Sequence, residues 1–220
     1  MRNPAQSCSA CGKCVAECPA GALTLLGRPV SAEEILAVVR RDAFYYRQTG
    51  GGITLSGGEP LVQAEGALNL LSLARGEGIS TVVETSAAIP EAVFGRFPSQ
   101  ADLWLVDLKA SRNRYKALTG ADPKLVFRNL KTLSDSGAEI RLRVPMVAGC
   151  NVDSGLLDLL LECAALPGVI GTDLLPWHDL GRGKAAMSGL PEPDWSTMSG
   201  PPESLLYEWR EKLTRTIGHR

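Results

Sequence analysis

Two hundred and twenty residues, 45% hydrophobic and 21% charged, suffice for one globular domain with a small appendage and exclude a disordered tail or a fibrous repeat. Lys plus Arg number 23 against 24 Asp plus Glu, a net charge of −1, so no overall basic field draws the chain to nucleic acid or an anionic membrane. No run of about 18 residues escapes charge and turn residues. Met1-Arg2-Asn3-Pro4-Ala5 leads into cysteines rather than an apolar signal segment, so a soluble, cytoplasmic chain with no nucleic-acid or membrane partner is expected.

The six cysteines are Cys8, Cys11, Cys14, Cys18, Cys150 and Cys163, and the first four form a C-x2-C-x2-C-x3-C-P run ending at Pro19. Thiolates at this spacing curl around a cubane iron–sulfur cluster, and Gly12 lets backbone N–H groups approach the sulfides, so a [4Fe–4S] cluster on Cys8, Cys11, Cys14 and Cys18 is expected. A disulfide framework would need a secretory segment, and a structural zinc site two separated pairs. In two-cluster ferredoxins the fourth cysteine of such a run serves the other cluster; Cys18 completes its own cluster or has lost its partner, and spacing does not choose. Cys163 shares an apolar helical face with Leu156, Leu159 and Leu160 and reads as core, and Cys150 as core or loop.

After Pro19, helices alternate with short β-rich runs, the pattern of a parallel sheet with crossover helices. Ser31 and Glu34 form a capping box that opens a helix through Ile35, Val38 and Val39, and the glycines at 50 to 52 end helical structure before a strand at Ile53-Thr54-Leu55. A helix follows on Ala67, Leu70, Leu71 and Ala74, then strands at Ser80–Val83 and Leu103–Leu108. Pro123 starts a helix through Val126, Leu130 and Leu133 that closes at Gly137, before a strand over Glu139–Val144. A helix over 154–166, a strand over Val169–Leu175 and an amphipathic helix on Leu206, Trp209, Leu213 and Ile217 complete the series.

Parallel barrels and open α/β sheets put their chemistry at the carboxyl ends of strands. Polar residues collect there: Ser56-Gly57-Gly58-Glu59-Pro60, Glu84-Thr85-Ser86, Asp107 with Lys109, Arg143, and His178. Singly, each has a plain structural reading as a turn, an ion pair or a satisfied arginine. Together, beside a cluster-binding run, they form a cup suited to a zwitterionic ligand next to a metal cluster.

These residues carry a resemblance to the glycyl-radical-enzyme activating enzymes, a branch of the radical S-adenosylmethionine (SAM) proteins related to pyruvate formate-lyase activase. The similarity runs from Cys8 to about Gly189 through the cysteine run, Gly27-Arg28, the stretch Gly50 to Gln63, Glu84-Thr85-Ser86, Asp107-Leu108-Lys109, Arg143-Val144-Pro145 and Leu175-Pro176-Trp177-His178. It implies an α/β fold, a partial (β/α)6 radical SAM barrel over 27–220 with a C-terminal helix, preceded by a ferredoxin-like segment over 1–26. It also implies that Gly57, Gly58 and Glu59 receive the amino group of SAM, Lys109 and Arg143 its carboxylate, and His178 its adenosyl part. Glu84, Thr85 and Asp107 match positions that hold a monovalent cation in some members. The implied activity is reductive cleavage of SAM to a 5′-deoxyadenosyl radical that takes hydrogen from a glycine of a partner enzyme. The partners are then a glycyl-radical enzyme and a flavodoxin- or ferredoxin-type reductant, under anaerobic conditions.

The SAM-cleaving cluster of the family sits on Cys-x3-Cys-x2-Cys after the first strand, a spacing the six cysteines do not contain, because the position that would complete it after Cys14 and Cys18 is Gly21. A non-catalytic iron–sulfur module for electron transfer or docking is therefore the competing function. Ala87 stands where glycine is usual after Glu-Thr-Ser. A barrel without its first strand presents an unpaired edge, so the chain made on its own is expected to aggregate. A stable monomer with a cooperative melt, seen by light scattering and calorimetry, would contradict that expectation.

Overall fold

A computed structural model describes residues 11–25, 27–181 and 194–218; Cys8 lies outside them. Five parallel strands, β1 (Gly52–Leu55), β2 (Ser80–Thr85), β3 (Leu103–Asp107), β4 (Ile140–Met146) and β5 (Val169–Pro176), lie side by side in chain order. Sequential order without reversal, with one face covered, is the arrangement of a barrel segment rather than of a doubly wound sheet.

The helices are α1 (Lys13–Ala16), α2 (Ala32–Val39), α3 (Ala43–Thr49), α4 (Ala64–Gly76), α5 (Glu91–Phe94), α6 (Arg112–Thr119), α7 (Pro123–Asp135), α8 (Ser154–Ala164) and α9 (Glu203–Gly218). Their starts follow local chemistry. Ser31 Oγ accepts from Glu34 N at 3.1 Å while Ser31 N donates to Glu34 Oε2 at 2.8 Å, completing the capping box of α2. Asp122 Oδ1 accepts from Lys124 N at 2.9 Å, and Pro123 occupies the first turn of α7, where its missing N–H costs nothing. The short helices α1, α5 and α6 and the position of α3 carry too little apolar periodicity to be read from sequence.

Strand alternation sorts the sheet into two faces. Val83 on β2, Trp104 and Val106 on β3, and Ile140, Leu142, Val144 and Met146 on β4 are buried against the helices. Leu71 of α4, Leu130 of α7, Leu160 and Cys163 of α8 and Trp209 of α9 join the same core. Cys163 is thus a core residue, and burial pushes its thiol up to about 12. The intervening residues Glu84, Leu105, Asp107, Arg141, Arg143 and Asp173 are half-buried on the opposite, helix-free face. There Arg141 Nε donates to Asp173 Oδ2 at 2.7 Å. Gly171 makes room for that pair, since a Cβ at this position would come within 2.6 Å of Arg141 Nη1.

β1 is an edge strand, with β2 on one side and no strand on the other among the described residues. Leu36 of α2, Ala74 of α4 and Tyr46 of α3 cluster with Ile53 of β1 on its helical side, and the Arg40 and Glu77 side chains pair at the ends of α2 and α4.

Leu142 is fully buried at the centre of β4. Leu142→Ala is expected to cost about 2–5 kcal/mol through lost transfer energy and the cavity left behind, read as a lowered urea midpoint with an unchanged slope.

Candidate functional site: a polar cup at the strand tips

The cup begins at the tip of β1, where Gly57 takes φ 128°, a conformation that favours glycine. A Cβ on either Gly57 or Gly58 would meet nothing within 4 Å, so both backbones border open space that a ligand can approach. Glu59 follows as the cap of a 3-10 turn over Pro60–Gln63, its Oε1 accepting from Leu61 N at 3.4 Å.

The Glu59 carboxylate also binds the tip of β2. Thr85 Oγ1 donates to Oε1 at 2.8 Å, and Ser86 N and Ser86 Oγ donate to Oε2 at 2.9 and 2.6 Å. A carboxylate offers about four acceptor sites, and all are filled by the chain's own donors. An incoming ammonium group must therefore share or displace one of these bonds. Thr85 is committed on both sides, because its Oγ1 also accepts from Ala87 N at 3.0 Å. Ala87 has φ 54°, a left-handed conformation that explains why glycine is usual at this position in the family it resembles. It is held there by Asn129 of α7, whose Nδ2 donates to Ala87 O at 2.9 Å and Ile89 O at 2.8 Å.

The charged residues of the cup pair with one another. Lys109 Nζ lies 3.3 Å from Asp107 Oδ2. Arg143 pairs with Glu84 Oε1, and Ser56 Oγ donates to Glu84 Oε2 at 3.1 Å. Asp107 sits opposite Arg143 in the β3–β4 register and Glu84 opposite Leu105 in the β2–β3 register, so the Glu84–Arg143 pair spans β3 diagonally. Burial raises the Asp107 carboxyl above its ordinary range, Lys109 pulls it back, and Glu84 adds to the rise. The folded chain therefore keeps this proton to higher pH than the unfolded one, and its stability falls as pH rises through that window.

Asn151, which the sequence reading did not single out, fixes the backbone beneath Lys109. Its Nδ2 donates to Lys109 O at 2.9 Å and Pro145 O at 2.5 Å, and its Oδ1 accepts from Val147 N at 2.8 Å. Asn129 had a legible signal, a polar residue on the apolar face of α7 beside Val126, Leu130 and Leu133. Asn151 had none, because it stands in a turn. His178 follows β5, exposed, at the same end of the sheet as the other tips.

Cys14 is exposed, as is Cys11, and Cys18 is partly buried at the end of the α1 segment. The backbone N–H groups of Leu23 and then Ala22 hold the Cys18 thiol below its ordinary value, an environment that favours the thiolate an iron ligand needs. Among the described residues no group of three or more His, Cys, Asp and Glu side chains is arranged to hold a metal ion. No helix among them is long and apolar enough to cross a membrane.

Residues 16–154, which contain the tips of β1 to β4, match the model of the radical SAM superfamily. The chain is 30% identical over 201 residues to the pyruvate formate-lyase 2-activating enzyme of Escherichia coli K12, covering 90% of this chain and 68% of that one. It is 35% identical over 176 residues to the choline trimethylamine-lyase activating enzyme of Oleidesulfovibrio alaskensis, covering 78% of this chain and 57% of that relative. A domain of a pyruvate formate-lyase-activating enzyme from Bacteroides vulgatus superposes with a TM-score of 0.61 at 23% identity, covering 76% of this chain and 94% of that one, which shows the fold. The chain belongs to the radical SAM superfamily, in the branch of the glycyl-radical-enzyme activating enzymes. It spans 57%, 54% and 55% of the length of three such relatives. Membership of this family implies a [4Fe–4S] cluster and SAM as cofactors.

Thr85→Val removes both the donor to Glu59 and the acceptor for Ala87 N–H at a buried position. It is expected to destabilise the fold by about 1–3 kcal/mol in urea melts, with Thr85→Ser recovering most of the loss.

Proposed function

We propose that this chain is the SAM-binding barrel of a glycyl-radical-enzyme activating enzyme, with the nucleotide seated in the cup at the strand tips. The observation that carries the reading is the convergence of Gly57, Gly58, Lys109 and Arg143 at one end of the sheet, inside the region that matches the superfamily. The open Gly57–Gly58 backbone would accept the ammonium of SAM, with Glu59 bracing the loop from behind. Lys109 and Arg143 would present two cations to its carboxylate, and His178 would stand at the adenosyl end. Bound SAM would supply an electrophilic sulfonium whose C5′–S bond is the one broken in the family's chemistry. The chain's own part is to orient that sulfonium and to exclude water from it.

The residues fit SAM and the iron–sulfur clusters unequally. For SAM, the glycine cradle and paired cations are of the right chemistry. For the auxiliary cluster, the spacing of Cys8, Cys11, Cys14 and Cys18 supplies a ferredoxin-type donor set in the segment 1–26 and the N–H groups around Cys18 favour its thiolate, although Cys11, Cys14 and Cys18 are not gathered about a common centre. For the SAM-cleaving cluster, the six cysteines contain no Cys-x3-Cys-x2-Cys, and no reductive step is derived from this chain. The glycyl-radical enzyme and a flavodoxin- or ferredoxin-type reductant are the partners this reading assigns. The family matches are activating enzymes throughout those described, so the competing reading of a purely electron-carrying module has no better support.

Equilibrium dialysis of the anaerobically purified, iron-reconstituted chain against labelled SAM tests the reading. Saturable binding is expected, weakened about tenfold or more by Arg143→Ala or Lys109→Ala, because each removes a charge-assisted contact to the carboxylate. Reduction with dithionite is expected to yield no 5′-deoxyadenosine above a cluster-free control. Absence of SAM binding would reject the assignment, and cleavage product would show that iron ligands are found outside the expected spacing.

A further inference from the structure

We infer that the internal pairs Glu84–Arg143 and Asp107–Lys109 take the place of a monovalent cation at this site, and that Glu84 acts as a positioning residue for Arg143 rather than as an ion ligand. The resemblance would have a cation held by Glu84, Thr85 and Asp107. A hard cation at such a position needs free oxygen ligands and a net negative environment, whereas here most of the side-chain oxygens have partners and two tethered cations stand among them.

Four of the side-chain oxygens are already engaged. Glu84 Oε1 is paired with Arg143, and Oε2 accepts from Ser56 Oγ at 3.1 Å. Thr85 Oγ1 gives its proton to Glu59 and accepts from Ala87 N, and the side chain is buried. Asp107 Oδ2 faces Lys109 Nζ at 3.3 Å. The two carboxylates and two cations of these pairs sum to zero, and the neighbouring Glu59 carboxylate is filled by donors from Thr85, Ser86 and Leu61, so a potassium ion entering here would have to compete with a guanidinium and an ammonium tethered to the sheet. A tethered cation loses far less freedom on pairing than a free ion does.

The pairing also assigns Glu84 a geometric task. With one oxygen on Ser56, next to the Gly57–Gly58 cradle, and the other on Arg143 two strands away, it fixes the distance between the part of the cup that would receive the SAM ammonium and the part that would receive its carboxylate. Loss of the carboxylate would free Arg143 to swing while leaving its charge intact.

The first arm of the test is independent of SAM: thermal melts of the wild-type chain in potassium, sodium and choline chloride at equal ionic strength. Identical midpoints are expected. A rise specific to potassium that Glu84→Gln abolishes would overturn the inference. The second arm rests on the SAM-binding reading above and repeats the SAM dialysis in the same three salts. Wild-type affinity is expected to agree within about twofold across them, and Glu84→Gln to weaken it about tenfold in all three alike. A loss confined to the potassium buffer, or a wild-type affinity that depends on potassium, would overturn the inference. If Glu84→Gln fails to fold, the wild-type comparisons still decide. No SAM binding in any salt would reject the function proposed above, while the melts still judge the cation.

Discussion

Period-two alternation along five parallel strands is the constraint from which the rest follows. With helices on one side only, every second residue of β2, β3 and β4 is buried in the core, and every other one faces a helix-free surface where charge is tolerated. That sorting places Trp104, Val106, Leu142 and Val144 among the helices and Glu84, Asp107, Arg141 and Arg143 together on the far side. Neither set could move by one position without exchanging roles, so strand register fixes both the stability of the sheet and the chemistry of the cup.

On the charged face the groups are arranged in neutral pairs: Arg141 with Asp173 lower on the sheet, and Glu84 with Arg143 and Asp107 with Lys109 at the tips. Half-buried charges in such pairs avoid most of the desolvation penalty that isolated ones would carry, and they stay close enough to the surface to exchange partners. A zwitterion entering the cup can thus trade contacts with groups of both signs without leaving an unpaired charge behind. Glu59 is different, because its acceptors are already saturated by Thr85, Ser86 and Leu61, and it acts as scaffold for the glycine loop in front of it.

The long elements were readable because they carry many residues of one period: α4, α7, α8 and α9 by apolar spacing, and the five strands by short runs rich in Val, Ile, Leu and Thr. The Ser31–Glu34 box marked the start of α2 to the residue. The short helices α5 and α6 were not readable, since four to eight residues held by tertiary packing leave little periodic trace. Within the site, the residue types at the tips were legible, and so was the Asp107–Lys109 pair, two positions apart where β3 ends. The Glu84–Arg143 pair was not, because it depends on the registers of two successive strand pairings. Nor was Asn151, whose three hydrogen bonds become visible only when the turn after β4 is seen under Lys109.

Ala87 joins the cup to the outer shell of the protein. Its left-handed backbone lacks the freedom a glycine would have, and two amide hydrogen bonds from Asn129, a residue of α7 buried on the far side of the sheet, hold it in shape. A shift of α7 would be transmitted through that amide to the loop bearing Ser86, and from there to Glu59. Mutations on α7 can therefore reshape the cup without touching it.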